Sequence, residues 1–125
     1  MKHMFGALVT ATILAATAAA AEAPVMTGDS AKGEVLTDAN GMTLYIFDND
    51  TASTSNCYDK CAQNWPPLAA SADAAAAGDF GIVERTDGTK QWAYKGMPLY
   101  LWVKDGAAGD ITGDGINGVW HIAKP

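Results

Sequence analysis

The chain has 125 residues, 49% of them hydrophobic and 18% charged, with 14 acidic against 8 basic side chains and a formal net charge of −6. That acidic balance makes nucleic acid and anionic membrane surfaces poor partners, since the phosphate attraction that dominates such binding becomes repulsion. Once the leader described next is set aside, about 104 residues remain, enough for one small domain with a modest core.

Lys2 and His3 form a short basic segment, Met4 to about Ala20 is apolar and rich in alanine, and Ala19-Ala20-Ala21 offers small residues where a signal peptidase cuts. Ala21-Glu22-Ala23 is a second acceptable site. The expectation is a cleaved signal peptide over residues 1–21 and a single domain over 22–125, periplasmic or secreted. The alanine-rich run falls short of a span of ~20 strongly apolar residues, so no permanent membrane span is expected. No cysteine near the junction could accept a lipid.

Residues 22–31 read as a polar lead-in, partly disordered. Glu34 to Thr37 is a short strand, Asp38-Ala39-Asn40-Gly41 a turn carrying the Asn-Gly hairpin signal, and Met42 to Phe47 the returning strand. A polar loop over 48–55 leads to a short helix from Asn56 to Trp65, stopped by Pro66-Pro67. Residues 69–79 are small and read as a connector. Gly81 to Arg85 and Lys90 to Lys95 are strands around a turn at 86–89, Leu99 to Val103 is another, 106–118 is a glycine-rich loop, and Val119 to Ile122 closes the chain as a last strand.

Within this series one pattern occurs twice. Gly41-Met42-Thr43-Leu44-Tyr45-Ile46-Phe47 is followed by Asp50, and Gly96-Met97-Pro98-Leu99-Tyr100-Leu101-Trp102 by Asp105 at the same interval. At the period of a strand, Tyr45 and Phe47 share one face and Leu44 and Ile46 the other, and the second copy repeats this. Both faces are apolar, so each strand is either buried on both sides or shows an aromatic face to a partner. The fold expected is mainly β: a small antiparallel domain built from two related repeats, about 33–68 and 81–125, with one short disulfide-tethered helix. Asp50 and Asp105 lie just past their strands, where a short carboxylate accepts hydrogen bonds from loop N–H groups, and a structural role is expected of both. Tyr45, Phe47, Tyr100 and Trp102 are the candidate binding residues, or else one face of the core.

Cys57 and Cys61, four apart, would sit on one helix face within disulfide reach, and an exported chain favours that bond. The spacing and the absent histidine exclude covalent haem, a thioredoxin-like pair needs a shorter spacing, and zinc would need two further ligands. His121 is the single histidine after the leader. It could join Met26, Met42 or Met97 on copper, although methionines at equivalent repeat positions read as core. Asp48-Asn49-Asp50 opens like a calcium loop, but the glycine and terminal glutamate do not follow, and Asp105, Asp110 and Asp114 are explained as turn formers. No cofactor or metal site is assigned. No nucleophile elbow or histidine–acid spacing supports catalysis, with Ser53, Ser55 and Ser71 all in loops.

Taken together, these residues resemble the bacterial secreted-repeat proteins described as predicted lipoproteins with a Y-x-(F/W/Y)-x-x-D motif. Tyr45, Phe47 and Asp50 match the first motif, Tyr100, Trp102 and Asp105 the second. Cys57, Cys61 and Trp65-Pro66-Pro67 match the cysteine-to-tryptophan segment, and Gly109-Asp110, Gly113, Gly115 and Val119-Trp120 the closing stretch. Many members carry a lipid-attachment cysteine, which this chain lacks. The resemblance implies an exported domain and gives no residue a catalytic role. The reading is a non-enzymatic binding or scaffold domain with a protein or small-molecule partner, the alternative being a periplasmic redox or metal-binding accessory protein.

Overall fold

The computed structural model describes residues 22–125, and the expected signal peptide lies outside them. The domain is mostly strand: β1 Met26–Ser30, β2 Gly33–Thr37, β3 Tyr45–Phe47, β4 Ala69–Ala70, β5 Phe80–Glu84, β6 Lys90–Tyr94, β7 Met97–Pro98 and β8 Trp120–Ile122, with one helix, α1 Lys60–Asn64, and a 3-10 turn at Ile116–Gly118. All pairings are antiparallel. β1 pairs with β2 and β3 with β8, while β6 carries β5 on one edge and both β4 and β7 on the other.

The two motif copies meet at the centre. Tyr45 N–H donates to Tyr100 O at 2.8 Å and Tyr100 N–H to Tyr45 O at 3.0 Å, so the copies run antiparallel about a pseudo-twofold axis through this pair. One constant interval relates Leu44 to Leu99, Trp65 to Trp120 and Leu68 to Ala123. The symmetry extends to backbone rings. Leu36 donates to Ala123, Ala123 to Leu44 and Leu44 to Leu36, each at 2.9 Å. Trp92 donates to Leu68, Leu68 to Leu99 and Leu99 to Trp92, again at 2.9 Å. The closing segment of each repeat, 66–68 or 120–123, therefore crosses over and pairs with the strands of the other repeat.

Turn chemistry supports this arrangement. Gly41 and Gly96, the first residue of each copy, both take left-handed backbone (φ 82° and 83°), which suits glycine. Asp38 Oδ1 accepts the N–H groups of Asn40 and Met42 and holds the first of these turns.

The two-faced strands separate two cores. Tyr45, Phe47, Tyr100, Trp65 and Trp120 pack with Val35, Cys57 and Ile122 on one side. Leu44 and Leu99 join Leu36, Leu68, Trp92 and Ala123 on the other.

Several elements differ from the sequence reading. Residues 26–30, read as part of a polar lead-in, form β1, because they pair fully with β2. The strand expected over 99–103 is broken: Leu101 N–H donates to Pro66 O and Val103 N–H to Asn64 O, but Pro66 and Pro67 have no N–H to return. In the other repeat His121 and Ile122 stand at the equivalent places and β8 is regular. The helix is shorter than 56–65, because Asp59 takes φ 55° before it and Cys57 is occupied in other bonds. Cys57 and Cys61 are bonded, with Cα atoms 5.2 Å apart, and tether α1 to the segment before it.

Candidate functional site

Around the axis the two motifs exchange partners. Tyr45 Oη donates to Asp105 Oδ2 and Tyr100 Oη to Asp50 Oδ2, both at 2.6 Å. Each tyrosine thus bonds the aspartate of the opposite repeat. The second oxygen of each carboxylate holds its own following loop: Asp50 Oδ1 accepts Asn56 N–H at 2.7 Å, and Asp105 Oδ1 accepts Thr112 N–H at 3.0 Å and its hydroxyl at 2.6 Å. Tyr45 and Tyr100 are both 0% exposed. Burial, then the adjacent carboxylate, pushes both phenols far above their ordinary value, so they remain donors at any ordinary pH. Burial also raises the Asp50 carboxyl, against the hydrogen bonds from Tyr100 and Asn56.

A buried arginine, read from the sequence only as the end of a strand, completes one side. Arg85 Nη1 donates to Ser55 Oγ at 2.9 Å and Gln91 Oε1 at 2.8 Å, Nη2 donates to Cys57 O at 2.6 Å, and the guanidinium lies 4.3 Å from the centre of the Tyr58 ring. Ser55 Oγ also accepts Cys57 N–H at 3.2 Å. With both lone pairs taken, the Ser55 hydroxyl must donate to Tyr100 Oη, 2.7 Å away. The protons therefore all point one way, from Arg85 through Ser55 and Tyr100 to Asp50. On the other side a plain backbone group does the same service, Gly113 N–H donating to Tyr45 Oη at 3.2 Å.

The rings form a four-member ladder across the axis: Phe47 on Trp120 (4.2 Å between centres), Trp120 on Trp65 (3.8 Å) and Trp65 on Trp102 (4.0 Å). Tyr45 and Tyr100 meet Trp65 and Trp120 edge-on at 5.3 and 5.2 Å. Of the four candidate binding residues, Tyr45 and Tyr100 are thus enclosed, because phenol, carboxylate and ring contacts all lie inside the core; Trp102 is half-buried, and Phe47 is 8% exposed at the end of the ladder.

An open cleft of about 470 Å³ runs along the edge of this ladder. Phe47, Trp65 and Trp120 form its floor, and the disulfide reaches it through Cys61. Asn49, Asn64 and Asn117, all exposed, stand on its rim. Asn64 ends α1, and Asn117 is held in left-handed backbone (φ 53°, ψ 14°) inside the 3-10 turn, a conformation asparagine tolerates better than most residues. A second groove, about 430 Å³, lies by the β1–β2 hairpin; half of its wall is glycine and alanine, and the rest is Met26 with Thr27, Asp29, Thr37 and Asn40. Among the described residues no group of three or more His, Cys, Asp or Glu converges on a metal-sized space. His121 instead meets Asp48 at 2.7 Å on the surface.

Sequence reasoning missed Arg85, Ser55, Asn64, Asn117 and the Trp65–Trp120 contact. The available signal was the interval between motif copies, which also separates Trp65 from Trp120 and marks them as a symmetric pair.

The pattern of a family described as a secreted repeat of unknown function matches residues 26–69 and again 81–124. The chain belongs to this secreted-repeat family. Its two matched segments are the halves related by the pseudo-twofold axis, and the first begins with β1. No curated protein and no solved structure matches the chain. Among the described residues of this secreted-repeat domain no helix is long and apolar enough to cross a membrane.

Proposed function

We propose that the secreted-repeat domain, released from a signal peptide over residues 1–21 into the periplasm or medium, is a non-enzymatic binding module whose contact site is the cleft on the aromatic ladder. One observation carries this reading: three exposed carboxamides stand around an aromatic floor in one open concavity. Binding sites of this size typically combine apolar walls with a few convergent polar groups. Tyr45, Tyr100, Asp50 and Asp105 serve it indirectly, by fixing the two halves against each other. Phe47 is the motif residue that reaches a ligand.

The test is a small-molecule fragment screen on isotope-labelled residues 22–125, read by NMR. Hits should shift the indole signals of Trp65 and Trp120 and the carboxamide signals of Asn49, Asn64 and Asn117. Hits that gather at Met26 and the β1–β2 groove, or chemical turnover of any fragment, would defeat the proposal.

A further inference from the structure

We infer that the cleft takes an uncharged oligosaccharide, an inference that rests on the binding-module reading above. The lining contains no Asp, Glu, Lys, Arg or His, so a charged ligand would lose water and find no counter-charge. The net charge of −6 further disfavours anions.

The ladder removes other classes. A cation or a flat aromatic ligand needs a free ring face. Trp65 has Trp102 on one face and Trp120 on the other, and Trp120 has Trp65 and Phe47. These two indoles offer only edges, and ring edges carry the positive end of the aromatic quadrupole, which attracts oxygen; Phe47, at the end of the ladder, is 8% exposed. The indole N–H groups of Trp65 and Trp120 have no acceptor among the described residues. Neither is sealed, the sealed side-chain nitrogen without a partner there being Arg85 Nε.

The rim matches hydroxyls. Each carboxamide of Asn49, Asn64 and Asn117 carries two donor hydrogens and an acceptor oxygen, and a hydroxyl likewise both donates and accepts. A sugar ring carries such hydroxyls around its rim, so its oxygens can meet both the carboxamides and the ring edges. The rim is also fixed in advance: Asn117 by its left-handed turn, Asn64 by α1 and the disulfide at Cys61. Such fixing lowers the ordering cost of binding. The open side of the cleft leaves room for a sugar chain to continue beyond it.

The experiment titrates residues 22–125 with cellotetraose, maltotetraose and chitotetraose, and with tetragalacturonate and tetra-alanine, at millimolar concentration. At least one neutral tetrasaccharide should shift the Trp65 and Trp120 indole signals together with the rim carboxamides. Asn64→Ala and Asn117→Gly, the latter keeping the backbone conformation, should each weaken that binding about tenfold, the effect of losing one hydrogen bond of ordinary strength, with the melting temperature unchanged. Tetragalacturonate should bind more weakly than the neutral sugars. If tetra-alanine or tetragalacturonate shifts the cleft signals and no neutral tetrasaccharide does, the ligand class is wrong while the binding-module reading stands. If no probe shifts them and fragments bind elsewhere, both readings fall.

Discussion

Tyr45 and Asp105 sit in different repeats and bond at 2.6 Å, a contact that Tyr100 and Asp50 return at the same distance. Removing either phenol oxygen leaves a buried carboxylate short of a donor. Tyr45→Phe and Tyr100→Phe are each expected to lose about 1.5–3 kcal/mol, the range for hydrogen bonds to charged groups. Tyr100→Phe should be the worse: each variant strands one further donor, Ser55 or Gly113, but Asp50 then keeps a single donor, Asn56 N–H, while Asp105 keeps two from Thr112. Urea denaturation of both variants measures this, and equal, negligible losses would contradict it.

The one-way run of protons into Asp50 makes an amide a poor substitute there. With its nitrogen toward Tyr100, the introduced carboxamide would reverse a chain in which Ser55 already accepts twice. Turned the other way, it would set its own N–H against the backbone N–H of Asn56. Asp50→Asn should therefore cost about 1–3 kcal/mol at neutral pH, as one buried group goes unsatisfied. Urea denaturation of this variant at neutral pH reads the loss.

Acid should separate two aspartates. Burial raises Asp50 above its ordinary 3.8, so the folded chain holds that proton more tightly than the unfolded one. Its contribution to stability is full below 3.8 and is lost as pH rises through the raised folded value. Asp114 is lowered, first by its bond from Lys32, so its contribution is full above 3.8 and is lost as pH falls through the folded value. Measured against pH, the native chain should gain on Asp50→Asn as acid is added across the Asp50 window, and lose ground to Asp114→Asn at lower pH. Parallel profiles for the two variants would refute the assignment.

Gly113 is pressed against the ladder. A Cβ there would lie 2.8 Å from Trp65 Cη2 and 3.0 Å from Tyr45 Cε1, both atoms of rings already stacked or hydrogen-bonded. Gly113→Ala should cost about 1–3 kcal/mol by overpacking. Gly81→Ala, with open space around it, is the control and should change the melting temperature little.

Reduction of Cys57–Cys61 is expected to cost roughly 2 kcal/mol for so short a loop. The five residues of α1 would then have no tether, and helices that short do not persist alone. Intact mass before and after reductant reports the bond, and loss of helical amide protection around Asn64 reports the consequence.

Much of this architecture was legible because side-chain period and turn chemistry are local. The alternation around Tyr45 and Tyr100 announced two apolar faces, and the structure places a core on each. The turn at Asn40-Gly41 and the cysteine pair were equally plain. What escaped was non-local. Nothing near Tyr45 indicates that its phenol seeks Asp105 rather than Asp50, since both stand at equivalent places and only the antiparallel meeting of the copies decides. Arg85 comes directly after an ordinary strand, and its burial follows from Ser55, Gln91 and Cys57 arriving from other segments. Asn64 and Asn117 are unremarkable in sequence and reach one cleft only because the closing segments cross.

That crossing also governs when the molecule can form. A chain that emerges amino end first presents Leu44 and β3 long before Ala123 and β8 exist to cover them. Residues 33–68 must wait with an open strand edge, and their own closing segment has nothing to pair with until Trp92 and Leu99 arrive. Joining of the two halves is thus a late event, completed by Trp120 to Ala123. A chain stalled or clipped before those residues would be left not with half a working domain but with two unfinished ones.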